Sequence, residues 1–395
     1  MRVLAKNLLF LLLLGAVIGY LARRFPDLSK GTDFVHFYCA ARMVSEGAGH
    51  RLYDFQLQEQ FQARYAGRVG TYFVHPPFEA LIYLPFTLLP LSSAYALWSG
   101  LNAALLVLSA RLLQRLALRN LDWRAVSLAC LSFVPALVTL LQGQDSILQL
   151  LLFTAAFAGL RRQKEFLAGC LLAGGLFKFQ LALPLFLMVL PGRTRRFVAG
   201  FAAVGGLLVL ASVAVSGWGS LVDYPRALLQ FSQLPLAAVH PREEMANLRG
   251  LAAVFFPNPQ VAEMFTLAGT LAIFWLAIRG GKGAGSRTHS EGHENLAWAS
   301  AVIGSLLVAY HQSPCDLTLL LLPLAFSFHL FRAGGWASPG RRAIWIGLAL
   351  LLFLPPLHLV LLNYHFYSLM AIPLLSFFWL VYGEIMRPAA PSPSQ

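Results

Sequence analysis

The chain has 395 residues, 58% hydrophobic and only 12% charged, with a mean hydropathy of +0.65 and a formal net charge of +13. That is more apolar side chain than a water-soluble domain of this length can bury, so lipid is the solvent for most of it. The positive charge does not point to nucleic acid, because the cations punctuate apolar runs instead of clustering on one face among stacking aromatics.

Apolar runs of about 17 to 22 residues recur along the chain, the length of helix that crosses roughly 30 Å of hydrocarbon with every backbone group satisfied internally. The first, at 5 to 22, follows Arg2 and Lys6; no small-x-small cleavage site follows it, so it reads as an uncleaved span. Further spans are expected near 76–112, 124–141, 145–160, 165–177, 180–191, 197–216, 260–278, 295–310, 315–331, 342–358 and 365–385, about twelve in all. As a straight helix the run 76–112 is about 55 Å long, too much for one crossing. Pro85 and Pro90 are expected to break it into a tilted or interfacial pair. Between 165 and 191, Lys178 stands in mid-run with Pro184 after it and basic clusters at both ends. That pattern predicts two short helices that enter and turn back at Lys178, which is tolerated only where they line protein or water. The scattered cysteines, Cys39, Cys130, Cys170 and Cys315, lack CxxC spacing and read as small buried hydrophobes. The Gly/Lys/Ser/His-rich stretch 280–293 reads as a mobile loop. The expected architecture is an all-α polytopic bundle forming one domain over 1–385, with 386–395 a flexible tail.

Orientation follows from the basic residues. With the N terminus in the cytoplasm, the short loops 111–124, 161–164, 193–196, 279–287 and 332–342 and the two termini hold 19 of the 30 Lys and Arg. The long segments 23–75 and 217–249 then face outward. A multi-pass protein of the plasma (inner) membrane is expected, its active site facing the periplasm or extracellular side.

The first outer loop, about 24–75, opens with GTDFVHFYCAARMVSEG, whose Asp33, His36 or Phe37, Ala40, Ala41 and Val44 recur at helical spacing. An amphipathic helix on the membrane surface is expected there, and Thr32 or Asp33 also suits its N-cap. Other polar groups fall on the same outward side: His75, Gln142 to Asp145, Lys178, His240, Arg242, Arg249, and His311 to Asp316. Polar groups at membrane depth are costly and mark interiors or sites. Each also has a plainer reading. Lys178 could snorkel, His75 punctuate before two prolines, Gln142 to Asp145 form a turn with an N-cap, and Asp316 favour a first helical turn through the helix dipole. Tyr310, Tyr364, Tyr367 and Trp379 read as interfacial belts.

The ordered set GTDFVHFYCAARMVSEG, LYD at 52–54, HPPFEALIYLPFTLLP at 75–90 with Trp98 and Asn102, GQDSILQLLLF at 143–153, AGCLLAGGLFKFQLALPLFL at 168–187 and SPCDLTLLLLPL at 313–324 resembles glycosyltransferase family 87 of the GT-C superfamily. The resemblance implies a hexosyltransferase using a polyprenyl-phosphate donor, mannose by default, and a lipid or glycan acceptor, with Asp33 as catalytic base. The sequence departs from the family where Asp145 and Ser146 follow the GQ pair, and where Cys315 follows Ser-Pro while His311 precedes it.

The chemistry this resemblance implies is displacement at an anomeric carbon. A carboxylate takes the acceptor proton, worth roughly 10²- to 10⁴-fold, and Asp33 is the candidate. The leaving phosphate needs donors: Lys178, His75, His311, Gln144 and Asp316 are the candidate binding residues, with Arg42 and Arg249 weaker ones. One carboxylate fits inversion better than double displacement. No DxD pair appears on the outer side, so neither metal nor cofactor is expected. The partners expected are the lipid-linked donor, the acceptor and membrane lipids, not nucleic acid. A secondary transporter or lipid flippase is the rival reading, though it would tend to show inverted repeats and midplane charges, neither of which is visible; a non-catalytic membrane scaffold is a third.

Overall fold

The computed structural model describes residues 28–231, 242–282, 291–332, 334, 336 and 338–387. The expected first span at 5–22, His240, most of the 280–293 loop and the tail beyond Arg387 lie outside these residues. The described residues are 82% helix, with no strand among them. In chain order the helices are α1 (Phe34–Ser45), α2 (Phe55–Ala66), α3 (Ala80–Tyr83), α4 (Leu91–Ala117), α5 (Trp123–Ser132), α6 (Val134–Gln142), α7 (Ser146–Arg161), α8 (Glu165–Gly174) and α9 (Phe179–Val189). They continue as α10 (Arg195–Ser216), α11 (Ser220–Phe231), α12 (Leu248–Phe255), α13 (Pro259–Gly281), α14 (Glu291–Val308), α15 (Leu321–Arg332), α16 (Pro339–Phe353), α17 (Pro355–Asn363) and α18 (Ala371–Ile385).

Among the described residues six helical stretches are long and apolar enough to cross a membrane, or eight if each of two bent pairs is one span. Several expected spans are shorter than a crossing: α7, at sixteen residues, is about 24 Å long. The bent pairs have local causes. Pro135 stands at the start of α6, and α5 meets α6 at 71°. Leu354, directly before Pro355, takes the extended backbone that a following proline imposes, and α16 meets α17 at 51°. Proline likewise breaks the 76–112 run as expected: a 3₁₀ turn at Leu84–Leu88 holds Pro85, Leu89 is extended, and α4 begins only after Pro90.

The segment 165–189 is helical from end to end, but it is not a rod. The backbone N–H of Thr194 donates to the Glu165 carboxylate at 2.7 Å, so the chain returns to where α8 began. A straight 25-residue helix would separate those ends by about 37 Å, which the five residues 190–194 cannot span. The reversal lies at the 3₁₀ turn Gly175–Lys178, where Lys178 leaves the helical region (φ −110°, ψ 67°). Phe186 of α9 stacks on Phe201 of α10 with ring centroids 3.9 Å apart. Alongside, Gly169 of α8 and Gly200 of α10 bring backbones together: a Cβ on Gly169 would lie 2.1 Å from the Phe197 carbonyl oxygen.

The bundle has two chemically distinct ends. Arg161 binds Asn295 and forms ion pairs with Glu291 and Glu294, His329 meets the Ala117 carbonyl, and Arg341 pairs with Glu384. Those contacts, with Glu165 on Thr194, gather the arginine-rich connections at one end. The turns after α6, α8 and α14, the 242–251 segment and α1 collect at the other. The main core runs through α4–α10 and α13–α18. A second core, built on Phe34, Phe37, Tyr38, Tyr83 and Trp98, holds the first loop against α4. Nine of the twelve α1 residues are buried, so α1 is enclosed by its loop instead of offering the polar face expected of a surface helix.

Candidate functional site

Asp33 occupies the N-cap position of α1, yet its side chain makes no capping bond. Its Oδ2 instead accepts from Gln144 Nε2 at 2.7 Å, and its backbone N–H donates to Gln142 Oε1 at 3.3 Å. The turn between α6 and α7 therefore sits on Asp33, and Gly143 makes this possible. Its φ is +65°, and a Cβ there would lie 2.7 Å from the Phe34 Cβ. From α4, Trp98 Nε1 donates to the Gly143 carbonyl at 2.8 Å and Asn102 Nδ2 to the Gln144 carbonyl at 3.0 Å.

Behind Gln144 lies a buried ionic cluster. Lys178 Nζ donates to Asp316 Oδ1 at 2.6 Å and Ser146 Oγ at 2.7 Å, and pairs with Asp145 Oδ1 at 3.0 Å; Gln144 Oε1 accepts from it at 3.4 Å. Ser146 in turn donates to Asp316 at 2.9 Å. Asp316 accepts the Ser313 backbone N–H at 2.9 Å, closing a capping box on the 3₁₀ helix Pro314–Leu320. The same helix is pinned to α6 through Thr139 and Thr318, whose hydroxyls are 2.9 Å apart. A buried ammonium needs such company.

His75 supplies another wall, with Glu79 behind it. His75 Nδ1 lies 3.1 Å from Glu79 Oε2, one helical turn on, and the His75 ring stacks on His36 at 5.6 Å. Burial pushes the His75 imidazole down to about 4, while the nearby Asp145 and Lys178 pull it in opposite senses. Glu79 is completely buried beside Asp145. On the remaining side Asn247 caps α12 and binds the Ala309 carbonyl at 2.8 Å, holding 242–251 against the end of α14. Arg249 donates to the Tyr310 carbonyl and hydroxyl at 3.1 Å each, its guanidinium 3.9 Å from the ring centre.

These walls enclose one cavity of ≈ 210 Å³ onto which Asp33, His36, His75, Gln144, Lys178, Asp316, His311, Arg242 and Arg249 all open. Seven of the eight candidate residues from the sequence, Arg249 included, thus meet in one place. Arg42 is the exception. It follows Asp33 by nine residues, two and a half helical turns, and so faces away from it. Its guanidinium lies over the rings of Tyr38 and Tyr65 and donates to the Tyr38 hydroxyl. Tyr367, expected in an interfacial belt, is fully buried with its hydroxyl 2.7 Å from His358 Nδ1.

Sequence reasoning missed Glu79, Ser146 and the pairing of Asp145 with Lys178. Glu79 had a signal: it is the lone charge in the apolar run 76–110, four residues after His75. Ser146 had none, since a serine at a helix start reads as local capping.

The model of glycosyltransferase family 87 matches residues 73–314, more than half of the chain. The matched stretch takes in His75, Glu79, Gln144, Lys178 and His311, and stops short of Asp33 and Asp316. No match was found among the curated proteins or among the solved structures. The helical bundle with its apolar spans and the family match agree: the chain belongs to glycosyltransferase family 87 and is a membrane glycosyltransferase.

Proposed function

We propose that the protein transfers a hexose, mannose by family resemblance, from a polyprenyl-phosphate donor to a lipid or glycan acceptor at the outer face of the plasma membrane. The observation that carries this reading is Asp33: a half-buried carboxylate that opens on the cavity, does not cap its own helix, and is held by Gln144 with no described cation on it. The other carboxylate lining the cavity, Asp316, is committed to Lys178.

In the proposed step Asp33 takes the proton of an acceptor hydroxyl as that oxygen attacks the anomeric carbon. The bond from carbon to phosphate oxygen breaks, and its electron pair leaves with the polyprenyl phosphate. A single displacement inverts the anomeric centre. Leaving phosphate is a weak base and needs charge stabilisation more than a proton. We assign that work to His311 and Arg249, with neutral His75 as a further donor. Lys178, expected at the phosphate, has its donors engaged by Asp316, Ser146 and Asp145, so we assign it to orienting Gln144, whose amide bridges ammonium and Asp33. Phe179, Leu228 and Phe231 add an apolar wall for the prenyl chain, and Phe179 is 36% exposed, as entry from the bilayer requires. Outward orientation rests on the basic residues at the opposite end. Metal independence is part of the proposal: turnover unchanged in EDTA is expected, and its loss, restored by a divalent cation, would refute it.

The test is incubation of the purified protein with labelled polyprenyl-phosphate mannose and a crude lipid extract. Label should move to an extractable acceptor with wild type and not with Asp33→Asn. Equal transfer by both proteins would remove Asp33 from the reaction.

A further inference from the structure

A second cavity lies at the arginine-rich end of the bundle and shares no residue with the first. Leu113 on its wall is fifteen residues along α4 from Trp98, about 22 Å away. The cavity has a volume of ≈ 420 Å³, stands between α4, α5, α15 and α16, and has only apolar side chains around it. It extends from Leu118 and Leu121, at the helix ends, to Cys130 and Phe353, beside the two proline-induced bends. That distance is the length of α5, ten residues or about 15 Å, which is the depth of one leaflet of a 30 Å hydrocarbon layer.

At its end the slot joins a chamber of ≈ 270 Å³ through the shared residues Leu118, Leu121 and Phe328. The chamber adds Arg119, Asn120, His329 and Arg332. Both arginines are exposed. The neighbouring carboxylates Asp122 and Glu291 are engaged by Arg124 and Arg161, so they leave the chamber a positive excess. A leaflet-deep apolar slot ending in paired cations complements one kind of molecule. Basic pockets between membrane helices recognise anionic lipid headgroups in this way.

We propose that this is a binding site for an anionic glycerophospholipid, with an acyl chain in the slot and the phosphate on Arg119 and Arg332. It is separate from the glycosyl-transfer site and does not depend on the reading of that site.

The experiment is native mass spectrometry of the full chain, titrated with phosphatidylglycerol and, separately, phosphatidylcholine of the same acyl composition. Wild type should retain phosphatidylglycerol in preference. The double variant Arg119→Ala/Arg332→Ala should lower that preference about 25-fold, roughly fivefold for each cation facing an anionic headgroup. Both arginines are exposed, so the variant folds. Ala129→Trp, which fills the slot, should lower retention of both lipids. Equal retention of the two lipids by wild type, or an unchanged preference in the double variant, would overturn the proposal. So would a photo-crosslinker at Ala129 that captures residues 1–27 of this chain or another protein in place of lipid.

Discussion

Replacing Lys178 by methionine separates two roles that the sequence alone leaves merged. If the ammonium were a phosphate ligand, its loss would act on donor binding and spare the fold. The geometry says otherwise: its side chain is 4% exposed, and its partners Asp145 and Asp316 are 0% and 3% exposed. Methionine matches the volume but leaves both carboxylates without their counter-ion. Breaking a buried pair from one side costs about 3–5 kcal/mol, because an uncompensated charge stays behind. Adding Asp316→Asn removes one of those charges, so the double variant should be less damaged than the two single effects summed, by about 0.5–3 kcal/mol. Unfolding in detergent, followed by denaturant or temperature, reads both quantities, and donor KM on the folded fraction reads the alternative. A loss below about 1 kcal/mol with a large rise in donor KM would refute the cluster and return Lys178 to the phosphate; that loss is what an exposed ion pair gives.

Three further outcomes are expected. Gly143→Ala should destabilise by about 2–4 kcal/mol, from a left-handed φ and a Cβ pressed on Phe34, and should cut turnover by displacing Gln144 from Asp33; thermal unfolding and initial rates check both parts. Trp98→Phe removes the donor to the buried Gly143 carbonyl and should cost about 1–3 kcal/mol by the same unfolding assay, with a smaller loss of rate. His75 binds its proton less readily folded, at about 4, than unfolded, near 6.5. The unfolded state then holds more protons between those values, so stability should fall as pH drops from about 6.5 to 4, and His75→Gln should flatten that slope.

Much of the architecture was legible because lipid leaves few choices. Apolar runs had to be helices, Pro90 had to end one, and a lysine in mid-run with basic clusters on both flanks had to mark a reversal. Asp33, His75, Gln144, Lys178, His311 and Asp316 were recognisable as polar groups on one side of the charge pattern, and the fold brings all six to one cavity. What stayed hidden depends on packing. Local periodicity made α1 look two-sided, but the loop wraps it, so its polar and apolar faces are both buried. Arg42 shares a motif with Asp33 yet lies half a turn out of phase with it. Among the described residues, α7 and the 77–88 segment are apolar without being long enough to cross alone, which composition does not reveal. The partners of Lys178 come from positions 145, 146 and 316, a pairing that no local signal in one sequence displays.

In the proposed step Asp33 accepts the acceptor's proton within this cavity. The most direct measurement is the turnover of purified Asp33→Asn with labelled polyprenyl-phosphate mannose and lipid acceptor, alongside its melting temperature. Loss of about 10²-fold or more in kcat with melting unchanged is the predicted result. A turnover within a few-fold of wild type in an equally stable protein would contradict it.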